Sequence, residues 1–235
     1  MVSTVIKNWD NKNWLSSNRY IESFNKFLTK KIKLNSESKI IDIGCGRGKI
    51  LGNLSSKLKL KKKPLGIDII NHKDKDKRIK FKKINGSTFF LKNKIRFDLI
   101  LIKQTIHLLN LKEIKKLLIL SKKNLNQNGK ILIFSLDTNK NELPTFKLMK
   151  KRLIESLKRD KKILKIITRL YPHKKSKFAY KVSINKNKYL RMVQGRFIST
   201  LLPLTKHELQ KGVNEIIYKY KNKIKFTDKL ICITL

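Results

Sequence analysis

With 235 residues the chain has room for one large domain or two small ones, which excludes minimal scaffolds that need disulfide or metal staples. Hydrophobic residues make up 40% and charged residues 31%, too apolar a mixture for disorder throughout. Fifty-eight Lys and Arg against 16 Asp and Glu give a net charge of +42, and a field of that sign attracts polyanions.

In chain order, Trp14, Ile21, Phe24, Phe27, Leu28 and Ile32 recur at near-helical spacing behind Ser16 and Ser17, which predicts a leading helix within residues 14–34. The apolar run Lys39–Ile43 ends abruptly in glycines, as a buried strand does when it feeds a turn, and Lys49–Leu58 then reads as a helix. Leu65–Ile70, Lys80–Ile84 and Asp98–Ile102 are three further strands. Asn110, with Glu113 three residues later, has the form of a capping box and opens a helix to about Lys123. Asn128-Gly129 turns the chain into the strand Lys130–Leu136. This alternation across residues 39–136 argues for an α/β fold in which helices cover both faces of a parallel sheet. After Asp137, Phe146, Met149, Leu153, Leu157, Leu164, Ile167 and Leu170 mark one or two basic amphipathic helices. A second capping box, Thr205 with Glu208, opens a helix to about Tyr220, and Lys225–Leu235 alternates as a final strand.

Two cysteines, Cys45 and Cys232, permit at most one bridge and no four-cysteine zinc site, as in a reducing compartment. The opening MVSTVIKNWDNKNW lacks the apolar stretch of a secretory leader, and no run approaches the roughly 18 apolar residues of a bilayer span. The expectation is a cytoplasmic chain without a membrane partner. His72, His107, His173 and His207 show no paired ligand spacing, so no metal is expected. Lysine is spread along the whole chain together with Asn and Ile, a pattern that an AT-rich genome also produces, so nucleic acid is a possible partner without being the favoured one. The densest basic stretch is 145–194, where Glu155 and Asp160 are the only acids.

The segment Ile40-Ile41-Asp42-Ile43-Gly44-Cys45-Gly46-Arg47-Gly48-Lys49-Ile50 joins a predicted strand to a predicted helix. Glycines there allow a tight turn and close approach of a ligand, and a helix N-terminus favours an anionic group. A dinucleotide fingerprint counted from Gly44 needs a small residue at 49, where Lys49 stands, and no phosphate-cradling G-x-x-x-x-G-K-[ST] is present. Asp68 lies 20 residues beyond Gly48 at the end of the second strand, where a carboxylate can accept hydrogen bonds from ribose hydroxyls.

These residues resemble the class I S-adenosylmethionine-dependent methyltransferases, whose first motif, an acidic residue followed by G-x-G-x-G, is matched by Asp42, Gly44, Gly46 and Gly48. Leu65-Gly66-Ile67-Asp68 is similar to the second-strand motif, Ile84-Asn85-Gly86-Ser87 to the third, Phe97–Leu101 to the fourth strand and Asn128–Ile133 to the turn into the fifth. The resemblance implies a doubly wound, mostly parallel seven-stranded sheet and a single domain. Its parts would be an N-terminal helical lead (1–35), a cofactor-binding core (36–136), a basic helical cap (137–203) and a final helix and strand (204–235). It further implies S-adenosylmethionine as cofactor, with Gly44, Cys45 and Gly46 against its methionyl part, Asp68 on the ribose, Ile69 on adenine, and Asn85 and Gly86 at the adenine edge. Lys103 would stand at the rim where cofactor and acceptor meet.

Transfer from a sulfonium asks mainly for orientation and desolvation, so catalytic residues are hard to read. His107 could serve as a general base. Ile102–Ile106 lacks the Asp/Asn-Pro-Pro-aromatic motif of amino-methylating nucleic-acid enzymes, and neither cysteine is placed for cytosine C5 attack. Met192–Leu202, followed by Gly212, resembles the C-terminal part of trans-aconitate-type small-molecule methyltransferases. That resemblance implies a small organic acceptor, one whose carboxylate, where it bears one, is clamped by Arg196, with Tyr20 and Trp14 closing the pocket. An RNA methyltransferase using the basic cap and a non-catalytic cofactor- or RNA-binding relative are the alternatives.

Overall fold

The computed structural model describes residues 13–235; the residues 1–12 on which the absence of a leader was argued lie outside them. Seven strands form one sheet: β1 (Ile40–Ile43), β2 (Leu65–Asp68), β3 (Lys80–Lys83), β4 (Phe97–Lys103), β5 (Leu125–Leu136), β6 (Lys174–Asn185) and β7 (Lys223–Thr234). The order is β3-β2-β1-β4-β5-β7-β6. The first five strands run parallel, and β7 inserts antiparallel between β5 and β6. The helices are α1 (Asn18–Thr29), α2 (Lys49–Leu58), α3 (Gly86–Lys92), α4 (Leu111–Lys123), α5 (Lys147–Leu170), α6 (Lys186–Gln194) and α7 (Lys206–Lys219).

Strand alternation divides the core into two layers. Ile40, Leu99, Leu101, Leu132 and Phe134 face α1, α2, α6 and α7, and with Tyr20, Phe24, Phe146 and Tyr189 they make the larger cluster. Ile41, Ile43, Ile100, Ile102, Ile131 and Ile133 face the other way, against α3, α4 and the second half of α5. Both faces of the central strands are covered, which is why they read as continuous apolar runs. Ser17 caps α1 by accepting from the Tyr20 N–H. Both expected capping boxes are formed, Asn110 with Glu113 and Thr205 with Glu208. No helix among the described residues is long and apolar enough to cross a membrane.

Residues 137–203 are not wholly helical, contrary to the sequence reading. After the long helix α5 the chain enters the 12-residue edge strand β6, pairing with β7 from Lys174↔Thr234 to Asn185↔Lys223. Phe178, Val182 and Ile184 turn inward while Lys175, Lys177, Ala179, Lys181 and Ser183 are exposed. That alternation of period two is masked in the sequence by the surrounding lysines. The leading helical region is also divided, into a 3-10 turn Trp14–Ser16 and α1.

Gly212, in the middle of α7, is set by packing. A Cβ built there would lie 2.5 Å from Phe146 Cε2, on a ring only 2% exposed. Gly212→Ala should therefore destabilise the fold by about 1–3 kcal/mol through overpacking, although alanine is the better helix former. Urea denaturation reads this, and a variant as stable as the parent would show that Phe146 has room to move.

Candidate functional site

The site grows from the ends of β1, β2 and β4. Leaving β1, the chain passes through Gly44 (φ 73°), Gly46 (φ 55°) and Gly48 (φ 71°), left-handed positions that residues with a Cβ adopt only at a cost. Gly48 is also the N-cap of α2 and supplies no side chain to it. Two hydrogen bonds to Asp68 hold the loop against β2. The Gly46 N–H donates to Asp68 Oδ2 at 2.9 Å, and the Ile70 N–H donates to Oδ1 at 2.9 Å. The main-chain N–H groups of Gly44 and Cys45 both donate to the Ile67 carbonyl. His72, buried, places Nε2 4.0 Å from Asp68 Oδ2.

This loop forms one wall of a cavity of about 520 Å³, within the usual range for a ligand pocket. Asp42, Gly44, Cys45, Gly46, Gly48, Asp68, Ile69, Asn85, Gly86, Lys103, His107, Trp14 and Arg196 all line it. Ile69 presents an apolar side chain that is 54% exposed. The Asn85 side-chain oxygen accepts from the Ser87 and Thr88 N–H groups and so caps α3; its amide NH₂ is the group left to face a ligand. Cys45 and Cys232 are both free thiols, and burial pushes the Cys45 pKa far up, so it is a packed thiol and not a thiolate.

Two expected acceptor residues stand differently from the sequence reading. Tyr20 does not line the cavity. It is completely buried beneath Lys103, whose ammonium sits 5.4 Å from the centroids of both the Tyr20 and Phe24 rings. Arg196 reaches the cavity, but from a left-handed backbone (φ 55°), and its Nη1 donates to the carbonyls of Leu201 and Leu202 at 2.5 and 3.1 Å. It pins the 3-10 turn Ser199–Leu201 before it can clamp anything else. Trp14 lines the cavity with its indole N–H donating to Asp228 Oδ2 at 3.2 Å.

Asp228 is a residue that sequence reasoning missed, although Phe226, Asp228 and Leu230 share the inward parity of β7 and the carboxylate interrupts it. Asp42, Lys103 and Asp228 lie on the sheet face that α1 covers; burial raises the pKa of both carboxylates, and the Lys103 charge opposes it. Burial prevails at Asp42, pushing its pKa up to about 7; Lys103 opposes this and Asp68 adds to it. Asp160 of α5 and Thr200 are two further buried polar residues in the lining that were missed. Asp160 falls in the apolar stripe with Leu153, Leu157, Leu164 and Ile167, a signal that could have been read; Thr200 carries no such signal. His107 is half-buried in the lining, with its carbonyl accepting from Arg159 Nη2 at 3.1 Å. Loss of water around the ring, then Arg159, lowers its pKa to about 4.

No protein-family model matches the chain, and no curated protein matches it. Solved structures do. A SAM-dependent methyltransferase from Thiobacillus denitrificans in complex with S-adenosyl-L-homocysteine superposes with a TM-score of 0.57 at 13% identity, covering 97% of this chain and 96% of that one. The plantazolicin methyltransferase BpumL, in complex with a monoazolic desmethylPZN analog and SAH, gives 0.52 at 17% identity over 97% and 86%. Precorrin 8w decarboxylase of Methanobacterium thermoautotrophicum gives 0.50 at 9% identity over 90% and 88%. The chain has the class I methyltransferase fold, a seven-stranded, mostly parallel α/β sheet, as expected from the sequence.

Gly44 and Gly46 make a controlled pair. A Cβ on Gly44 would overlap the Thr105 side chain, whereas one on Gly46 would meet nothing within 4 Å. Gly44→Ala should cost about 2–4 kcal/mol in strain and overlap, and Gly46→Ala only about 1–2 kcal/mol for its left-handed backbone. Denaturant titration of both separates the contributions; equal losses would mean that Thr105 moves aside. For Asp42 the folded pKa is raised above the unfolded value, so its contribution to stability is fully present below about pH 4 and is lost as pH rises through about 7. Relative to Asp42→Asn, the parent should lose on the order of a few kcal/mol between pH 4 and pH 7. Parallel stability curves for the two proteins over that window would contradict the assignment.

Proposed function

We propose that this chain is an S-adenosylmethionine-dependent methyltransferase acting on a small organic acceptor. The observation that carries the reading is the bare glycine turn, fastened by the Asp68 carboxylate and open to the cavity beside the exposed Ile69.

The residues present fit that cofactor. A Cβ at Gly46 would project into open space, so the main chain there is accessible to a ligand at van der Waals distance. Each Asp68 oxygen already accepts one main-chain hydrogen bond and retains a lone pair for a ribose hydroxyl. Ile69 offers an apolar plate to adenine, and the Asn85 amide donates toward the ring edge, because its oxygen is committed to the helix cap. Gly44, Cys45, Gly46 and Gly48 accommodate the amino-acid part, with Asp42 and Lys103 providing charge of both signs beside it. The cofactor when bound supplies a methyl group already activated on a sulfonium.

The chain's own residues then orient and desolvate. His107, neutral at physiological pH, accepts a hydrogen bond from the acceptor and is too weak a base to keep a proton for long. Leu153 and Phe197 exclude water from the same cavity. Arg196 holds the turn that carries Thr200, so a direct clamp on an acceptor carboxylate falls to its other guanidinium nitrogens.

Titration calorimetry with S-adenosylmethionine and S-adenosylhomocysteine tests the reading. Asp68→Ala should weaken binding of both by about 1–3 kcal/mol through lost hydrogen bonds to a charged acceptor. No binding to the parent protein, or a preference for a nicotinamide dinucleotide, would remove the cofactor assignment.

A further inference from the structure

Another part of the cavity wall is made by α5 and the 3-10 turn Ser199–Leu201, and there two polar atoms lack a hydrogen bond. Asp160 is 5% exposed and Thr200 9%, and both line the cavity. Asp160 Oδ1 and Thr200 Oγ1 are buried without a hydrogen bond among the described residues. Asp160 Oδ1 has one long ion pair, to Arg159 Nη2 at 3.6 Å, on a side chain that is mostly in solvent and also donates to the His107 carbonyl. A buried carboxylate and hydroxyl left in this state each cost free energy that a ligand with N–H groups would recover.

The charges around them point the same way. Three carboxylates in the lining, Asp42, Asp160 and Asp228, are buried, whereas none of the lining cations Lys49, Lys103, Lys116, Arg196 and Lys229 is. Burial raises the pKa of Asp42 and of Asp228, and the same cation, Lys103, opposes the rise at both. Arg196 gives Nη1 to main-chain carbonyls, leaving its other nitrogens at the cavity, and Lys229 pairs with Glu142. Asp160 is left without a buried counter-charge.

We propose that the acceptor half of this cavity binds an amine, entering as ammonium, whose N–H groups are held by Asp160 and Thr200. The inference rests on the methyltransferase reading for its chemistry but not for the binding itself. Transfer to such a nitrogen balances within the site: the ammonium first gives one proton to the Asp160 carboxylate, the lone pair so freed forms the new C–N bond, and sulfur keeps the electron pair of the bond that breaks.

The test uses the full chain and matched probes: phenethylamine against 3-phenylpropionate, tryptamine against indole-3-propionate, and hexylamine against heptanoate. Each is titrated calorimetrically with and without saturating S-adenosylhomocysteine. At least one amine should bind ten-fold or more tightly than its carboxylate partner. Asp160→Asn should weaken that amine by ten-fold or more while S-adenosylhomocysteine affinity stays within two-fold. Thr200→Val, which keeps side-chain volume, should weaken the amine about three-fold or more, and it decides the matter if Asp160→Asn fails to fold. The proposal is overturned if no amine outperforms its carboxylate, or if the folded variants bind the amine like the parent. Amine binding that persists where S-adenosylhomocysteine does not bind would support the subsite and sink the cofactor reading alone.

Discussion

The carboxylate of Asp68 fastens two loops at once. One oxygen takes the Gly46 N–H from the turn after β1, and the other takes the Ile70 N–H from the turn after its own strand. A turn with three left-handed glycines has large freedom in the unfolded chain, and two charge-assisted bonds to a single rigid strand end offset part of the entropy lost on ordering it. The neighbouring strands are themselves fixed by parallel pairing, Asp42↔Gly66 and Ile43↔Ile67, so the carboxylate and the turn share one frame. The cavity takes its shape from that frame, because the same turn forms one of its walls and Ile69 and Ile70 continue its lining.

A second constraint is electrostatic. The exterior is overwhelmingly cationic, yet the interior of the site gathers several of the chain's few acids. Asp42 and Asp228 share Lys103 across the sheet, and Lys103 in turn rests on the Tyr20 and Phe24 rings. That arrangement gives Tyr20 and Trp14 structural contacts of their own: the first supports the cation, the second donates to Asp228. Charges buried in this way have effects far larger than surface pairs, since little water screens them.

Much of the framework was legible in the sequence because the signals were local. Both capping boxes and the bounds of Lys49–Leu58 follow from side chains within a few residues of one another, and the Asp42–Gly48 pattern encodes a turn that its own backbone must make. Pairing between distant segments was not legible. Strand β6 depends on β7, some fifty residues later, for all of its ladder hydrogen bonds, and its inward positions are diluted by lysine. Helix α3 is only seven residues long and is started by Asn85, a residue the sequence assigned to a ligand rather than to a cap. The cavity wall formed by Asp160 and Thr200 arises from tertiary packing of α5 on a short turn, and Arg196 was read as a clamp because its bonds to Leu201 and Leu202 depend on the backbone twist at that residue.

The two outer strands of the sheet give the lysine excess a use that needs no ligand. β3 contributes Lys80, Lys82 and Lys83 at one margin, and β6 contributes Lys174, Lys175, Lys177 and Lys181 at the other. Unpaired strand margins are templates for runaway polymerisation, and like charges set along both of them keep sister molecules apart. That repulsion persists while the Debye length, about 8 Å at physiological ionic strength, exceeds the roughly 5 Å between paired strands. In concentrated brine the screening length falls below that spacing, and colloidal behaviour then rests on the twist and side-chain bulk of the margins alone.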